Sequence, residues 1–534
     1  MRGVRSAGLA VLLSLAGVAI GGAGQSAMAR PSVAAAQRPP LVIPALRQWY
    51  HGTGSWRLGP HARILVWPDH ADLLSLARQL SADLRHEVGR RLPVAAQRSG
   101  YRTGDVVLRQ SDDLARRLGD EGYSLEVSRL VRITAPTTAG LFYGGRSVVQ
   151  MLHQGLSVHQ GFGLDVPRYP ERGLMVDASR TTYSTNWVLR EIRRLAALKL
   201  NILHLHLTDD QRWAIVSRSY PSLAAKNAFT RRDIRRILRL ARRDHVTVIP
   251  EIEMPGHMAA FLAQHPGMEL RPAATASSST SQQYLTDKLD ITNPKALAAM
   301  RKILDEYLPM FPGPYWDMGA DEYLPPAEYA AFPQLATYAT TRYGVGATPS
   351  DAVHGFINWV DGIVRAHHKT LRIWSDQMGG TGVVPVNPDV VAEWWSSVSP
   401  LGDTVTVSPN ALLGEGHQVL NAGWYPNYYT DDLGPVAGKA KLPGVYASWQ
   451  VNQFDGQELK NGTVTTQQTV PASSPGLLGT TLDIWGPLNE TTRQTAAGIE
   501  PRLAVLSQKA WGSRLPAPTY AGFAKEMRRV GLPR

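Results

Sequence analysis

Two adjacent carboxylates, Asp321 and Glu322, follow the short apolar run Tyr315 to Gly319, and five further apolar runs end on polar or aromatic groups. These groups are Arg180, then Asp209 with Asp210, then His257, then Trp374 to Gln377, and finally Trp485. A carboxylic acid can protonate a departing oxygen and, once ionised, activate water. Neighbouring residues of an extended chain point in different directions, so Asp321 and Glu322 need not face each other as the two carboxylates of an ordinary glycosidase do. One can reach a glycosidic oxygen while the other reaches a different part of the same sugar. That division suits substrate-assisted hydrolysis, in which the sugar's 2-acetamido oxygen is the nucleophile and the protein supplies an acid and a group that orients the amide. A single carboxylate after a strand is more often a helix cap or a surface charge. The weight lies in six run ends that each present such groups.

Those ends share a cleft only if the runs belong to one closed sheet. Eight candidate strands alternate with helical patterns: Gly173 to Asp177, Asn201 to Thr208, Val246 to Glu253, Tyr315 to Gly319, Thr370 to Trp374, Val390 to Trp394, Gln418 to Asn421 and Thr480 to Trp485. Alternation of this kind predicts an α/β fold, a (β/α)8 TIM barrel, whose strand C-terminal ends converge. The intervening helices carry start signals: Thr230 with Asp233 reads as a capping box, and Asn293 with Pro294 as a cap and first helical position. Upstream, strands over Ile64 to Trp67, Val106 to Arg109 and Leu130 to Ala135, with helices over Ala71 to Val88 and Thr138 to Leu152, predict a small α/β domain. The expected boundaries are a leader over 1–29, a linker over 30–41, the small domain over 42–165, the barrel over 166–515 and a C-terminal tail over 516–534. The Ser/Thr-rich stretch Thr275 to Ser281 reads as a loop on the cleft side.

Four ordered stretches resemble the successive motifs of family-20 glycoside hydrolases, the β-N-acetylhexosaminidases. They are Arg172-Gly-Leu-Met-Val-Asp-Ala-Ser-Arg180, Lys199-Leu-Asn-Ile-Leu-His-Leu-His-Leu-Thr-Asp-Asp210, Pro250-Glu-Ile-Glu-Met-Pro-Gly-His257 and Gly319-Ala-Asp-Glu322. The resemblance implies that Glu322 is the general acid/base and that Asp321 orients the acetamido group. By the same resemblance Asp209 and His257 form a relay to the acid/base, and Arg180 binds sugar hydroxyls. Trp374, Trp395 and Trp485 would wall the acetamido pocket, with Trp394 competing for the place of Trp395. In Leu420-Asn-Ala-Gly-Trp-Tyr-Pro-Asn427, Tyr425 resembles the hydroxyl donor to the acetamido oxygen and Asn427 its polar partner, with Tyr428 and Tyr429 as neighbouring alternatives. The chain departs from the family at Asp317, where members usually have His, at Ala320, usually Gly, and at Pro487, often Glu. Those departures keep open a lacto-N-biosidase-like release of a disaccharide.

The 534 residues, 43% hydrophobic and 19% charged, describe an ordinary globular protein of two domains. Arg2 and Arg5, an apolar run from Ala7 to about Ala23 and the small residues Ser26-Ala-Met-Ala29 read as a secretory leader, so the mature chain is expected to be exported without a membrane anchor. With no cysteine, disulfides, thiolate metal sites and a cysteine nucleophile are excluded. The net charge of +12 comes without a basic run interleaved with aromatics, so no nucleic-acid partner is expected; the expected partner is a glycan bearing an N-acetylated amino sugar. No cofactor or metal is expected. Two other readings use the same residues. His204-Leu-His206 with Asp209, Asp210 and His257 has the ligand types of a metal-dependent barrel hydrolase, and a cleft without turnover would make a sugar-binding protein.

Overall fold

The computed structural model describes residues 38–273, 286–380, 382–396, 407–431, 439–458, 464–486 and 488–532. The leader over 1–29, the linker up to residue 37, the stretch Thr275 to Ser281 and Pro487 lie outside the described residues.

All eight predicted runs form parallel barrel strands: Glu171–Asp177, Ile202–His206, Thr247–Glu251, Tyr315–Asp317, Thr370–Trp374, Val391–Trp394, Val419–Asn421 and Leu477–Ile484. Each pairs with the next, and the eighth pairs with both the seventh and the first, which closes the barrel. The strands are buried on both faces, as parallel strands wrapped by helices must be. A two-residue strand, Tyr428–Tyr429, adds in parallel to the upper end of the eighth, with Tyr428 opposite Asp483. Helices cover the outside. Thr230 and Asp233 make the predicted capping box for Arg231–Arg243, and Asn293 caps Pro294–Tyr307 by accepting the Lys295 N–H.

Before the barrel, a seven-stranded mixed sheet carries the helices Ala71–Val88 and Thr138–His153, packed on its core through Leu73, Leu80, Leu141 and Val148. Its strands over Ile64–Trp67, Val106–Gln110 and Val131–Ala135 match the predicted ones; Tyr50–Arg57, Val94–Ala96, Tyr123–Val127 and Ser157–Asp165 were not predicted. Asp165, at the end of the last of these, accepts hydrogen bonds from Tyr123 Oη at 2.6 Å, Lys199 Nζ at 2.9 Å and Trp511 Nε1 at 2.8 Å. One buried carboxylate thereby joins the small sheet to the turn after the helix Thr185–Ala197 and to the end of the helix Thr492–Trp511. The C-terminal segment also carries a helix, Tyr520–Val530, which buries Phe523 and Val530. Among the described residues no helix is long and apolar enough to cross a membrane.

Candidate active site

At the end of the first strand, Asp177 Oδ1 accepts the Ser179 and Arg180 N–H groups at 3.0 and 2.9 Å, and its Oδ2 accepts the Gly486 N–H at 3.0 Å. This carboxylate ties the first strand end to the eighth and aims Arg180 across the cleft. The guanidinium meets Asp209 Oδ2 at 2.6 Å and Asp177 Oδ2 at 3.3 Å, and lies 5.3 Å from the Trp485 ring centroid. Burial alone would lower its pKa, but the Asp209, Asp177 and Asp321 charges outweigh burial and raise it.

The second and third strands bring histidines between carboxylates. His206 Nε2 stands 2.8 Å from Asp209 Oδ2 and its Nδ1 2.8 Å from Glu251 Oε2, while His204 sits between Glu251 at 2.9 Å and Glu393 at 3.5 Å. After a cis Met254–Pro255 bond, His257 adopts a left-handed φ of 50°. Its Nε2 faces both members of the acidic pair, 3.5 Å from Asp321 Oδ2 and 3.4 Å from Glu322 Oε2. On the other side its Nδ1 is 3.3 Å from Asp210 Oδ2 and 3.7 Å from Asp209 Oδ1. Burial opposes protonation of His257, but the Asp321, Asp209 and Asp210 carboxylates raise it well above the ordinary histidine value. The imidazolium therefore donates from both nitrogens.

The acidic pair rides on an unusual turn. Gly319, Ala320 and Glu322 all have left-handed φ, at 67°, 68° and 49°. Gly319 fits because a Cβ there would stand 2.0 Å from a Glu253 carboxylate oxygen. Ala320 takes the same φ region and is fully buried. The Glu322 N–H donates to Asp376 Oδ2 at 2.7 Å. Burial works against ionisation of Asp321, yet His257 pulls its pKa below the usual value. Its Oδ1 is buried, and among the described residues no hydrogen-bond donor reaches it. A buried acceptor in that condition is costly until a donor arrives.

Around the pair stands an aromatic cluster of Trp374, Trp395 and Tyr428 with Met175 and Ala422, against which Trp424 and Trp485 pack. Trp485 lies 5.6 Å from Trp374 and 5.8 Å from Tyr428 between ring centroids, and the Trp374 indole N–H donates to Glu251 Oε1 at 2.7 Å.

The chain is similar to known proteins. Residues 169–514 match the catalytic domain of glycosyl hydrolase family 20, and residues 39–165 match domain 2 of the same family. The chain belongs to glycosyl hydrolase family 20. A lacto-N-biosidase from Bifidobacterium bifidum is 30% identical over 503 residues, covering 92% of this chain but only 42% of that protein's length. Two solved structures share the fold. The family-20 exo β-N-acetylglucosaminidase of Vibrio harveyi, in complex with N-acetylglucosamine, gives a TM-score of 0.73 at 20% identity, covering 92% of this chain and 77% of that one. Streptomyces plicatus N-acetyl-β-hexosaminidase gives 0.68 at 24% identity, covering 92% and 96%.

Contacts at the strand ends bring together Arg180, Asp209, His257, Asp321 and Glu322, with Trp374, Trp395 and Trp485 in the neighbouring aromatic cluster. The other aromatic and polar candidates take different places. Trp394 is fully buried outside the aromatic cluster, its N–H given to the Val407 carbonyl at 3.0 Å, so Trp395 faces the site. Tyr425 packs in the main barrel core, and Tyr428 in the aromatic cluster, where the two-residue strand runs beside the eighth barrel strand. Asn427 is buried and held by its own wall, donating to the Asn421 carbonyl at 3.2 Å. The relay also differs, since the carboxylate nearest His257 Nδ1 is Asp210 and not Asp209, which is committed to Arg180 and His206. Asp210 is held at about 2: burial pushes it up, and the hydrogen bond and charge of His257 outweigh that.

The sequence reading reaches Asp376 only within the run end Trp374 to Gln377, and Asp317 only as a departure from the family motif. The first touches Glu322 as described above; the second is buried below it, with Oδ1 accepting the Gly319 N–H at 2.8 Å and so bracing the turn. Groups of three potential ligands do occur, such as His204, Asp317 and Glu393, or His206, Glu251 and Glu253. Burial would lower both histidines, but the flanking carboxylates outweigh it and raise them above their ordinary values.

Proposed function

We propose that this hydrolase cleaves β-linked N-acetylhexosamine with retention of configuration, using the substrate's own acetamido group. Glu322 protonates the glycosidic oxygen as the C1–O bond breaks, while the acetamido oxygen bonds to C1 and gives an oxazolinium ion. Glu322, now ionised, takes a proton from the water that reopens the ring at C1. Asp321 accepts the acetamido N–H and offsets the positive charge of the ion. Tyr428 donates its hydroxyl to the acetamido oxygen, and Trp374, Trp395 and Trp485 enclose the methyl group. His257, held from behind by Asp210, keeps the two carboxylates apart and fixed. The observation that carries the reading is the half-buried Asp321, its pKa lowered by His257 and its buried Oδ1 lacking a donor among the described residues, beside Glu322, 3.4 Å from the same imidazole.

A second reading, release of a disaccharide, is favoured by the 30% identity to a lacto-N-biosidase over 92% of this chain. A panel of chromogenic N-acetylglucosaminide, N-acetylgalactosaminide and lacto-N-bioside separates the two. Turnover of either monosaccharide glycoside supports the exo-hexosaminidase; turnover of the bioside alone selects the disaccharide reading. Turnover of none of them contradicts both. We also propose export, on the leader-like residues 1–29. Protein recovered from culture medium should begin at Arg30, and retention of the full chain inside cells contradicts this.

A further inference from the structure

Asp376 lies two residues beyond the fifth barrel strand, and it is 7% exposed. Its two oxygens serve two parts of the site. Oδ2 accepts the backbone N–H of Glu322 at 2.7 Å and the side-chain N–H of Gln377 at 3.1 Å, while Oδ1 accepts the indole N–H of Trp395 at 3.2 Å. A single carboxylate therefore joins the peptide of the proposed acid/base to an aromatic wall of the proposed acetamido pocket. Glu322 has particular need of such a bond. Its φ of 49° lies in the left-handed region, which a residue with a side chain holds only where surrounding contacts determine it.

From this geometry we propose that Asp376 is a positioning residue, fixing the Glu322 carboxyl and the Trp395 ring in one frame so that the acid meets the glycosidic oxygen of a sugar seated against the indole. The proposal rests on the reading of Glu322 as acid/base. The groups facing Asp376 are Asp321 and Glu322 from the fourth strand end, Tyr329 from the segment after it, Gln377 beside it and Trp395 from the sixth strand end. Burial and the Asp321 charge push the Asp376 carboxyl up to about 7. Its charge thus changes near neutral pH, and with it the strength of the bond to the Glu322 N–H.

The test compares Asp376→Ala and Asp376→Asn with Glu322→Gln and the unmodified enzyme, each assayed well below its own Tm. Misplacement of an acid by about 1 Å costs on the order of a hundredfold in rate. Asp376→Ala should lower kcat by about that factor with a much smaller change in KM. Asp376→Asn retains an acceptor oxygen for the Glu322 N–H and should recover most of the loss, while lacking the rise in kcat through about pH 7 that the proposal expects of the unmodified enzyme. A folded Asp376→Ala enzyme with unchanged kcat overturns the proposal. Should that variant not fold, Asp376→Asn decides: a pH–kcat profile identical to that of the unmodified enzyme overturns it equally. Activity retained by Glu322→Gln would instead overturn the acid/base reading, so the two failures are distinguishable.

Discussion

Asp321 and Glu322 are adjacent in sequence, yet they present different faces to one imidazolium: His257 Nε2 lies within 3.5 Å of an oxygen of each. Their pairing was legible because two consecutive carboxylates at a strand end are an uncommon placement for charge. The tyrosine was not legible. Tyr425, Tyr428 and Tyr429 fall in an irregular segment, and only the two-residue strand beside Asp483 decides which ring turns inward. The relay carboxylate was expected at Asp209; Arg180 and His206 hold Asp209, and Asp210 lies nearer His257. Removing a preorganised donor to a developing charge costs about 10²–10³ in kcat. Tyr428→Phe should therefore lower kcat by about that range, whereas Tyr425→Phe should act on Tm and leave kcat within a few-fold. Steady-state kinetics on both variants check this, and the reverse ranking would return Tyr425 to the site.

At the scale of elements, the barrel strands were legible because they are short, buried and largely apolar, interrupted by single charged or histidine residues such as His204, Arg372 and Glu393. The small sheet was only half legible. Its strand Tyr50–Arg57 is largely exposed and contains Gly52 and Gly54, so no alternation marks it. The turn after the fourth strand was legible as a motif but not as strain. Gly319 there has both a left-handed φ and the Glu253 carboxylate where a Cβ would go. Gly319→Ala should destabilise the protein by about 1–3 kcal/mol or more and displace the acidic pair that follows. Thermal unfolding and kcat should fall together. A variant with native Tm and kcat would show that the turn does not hold the pair in place.

At the scale of the whole molecule, the buried charges set the pH at which the fold is most stable. His206 is raised to about 10, burial opposing but Glu251 and Asp209 prevailing. The stability it contributes is complete below its unfolded value near 6.5 and is lost as pH rises through about 10. Asp287 and Asp376 are raised to about 6 and 7, chiefly by burial, so the unfolded chain ionises first and stability declines as pH climbs from about 4 through those values. Glu393 and Asp210, both near 2 because neighbouring cations outweigh burial, contribute stability above about 4 that is lost as pH falls through about 2. Tm should therefore peak between about pH 4 and 6 and fall on either side; a maximum above pH 8 in calorimetry would contradict these assignments. The most direct test of the catalytic account is the dependence of rate on the nucleophilicity of the acetamido oxygen. With whichever glycoside of the panel is turned over, kcat/KM should fall steeply and in order as the N-acetyl group is replaced by mono-, di- and trifluoroacetyl, because each fluorine weakens the attacking oxygen. A flat series, together with a glycosyl ester trapped on a protein carboxylate, would contradict it.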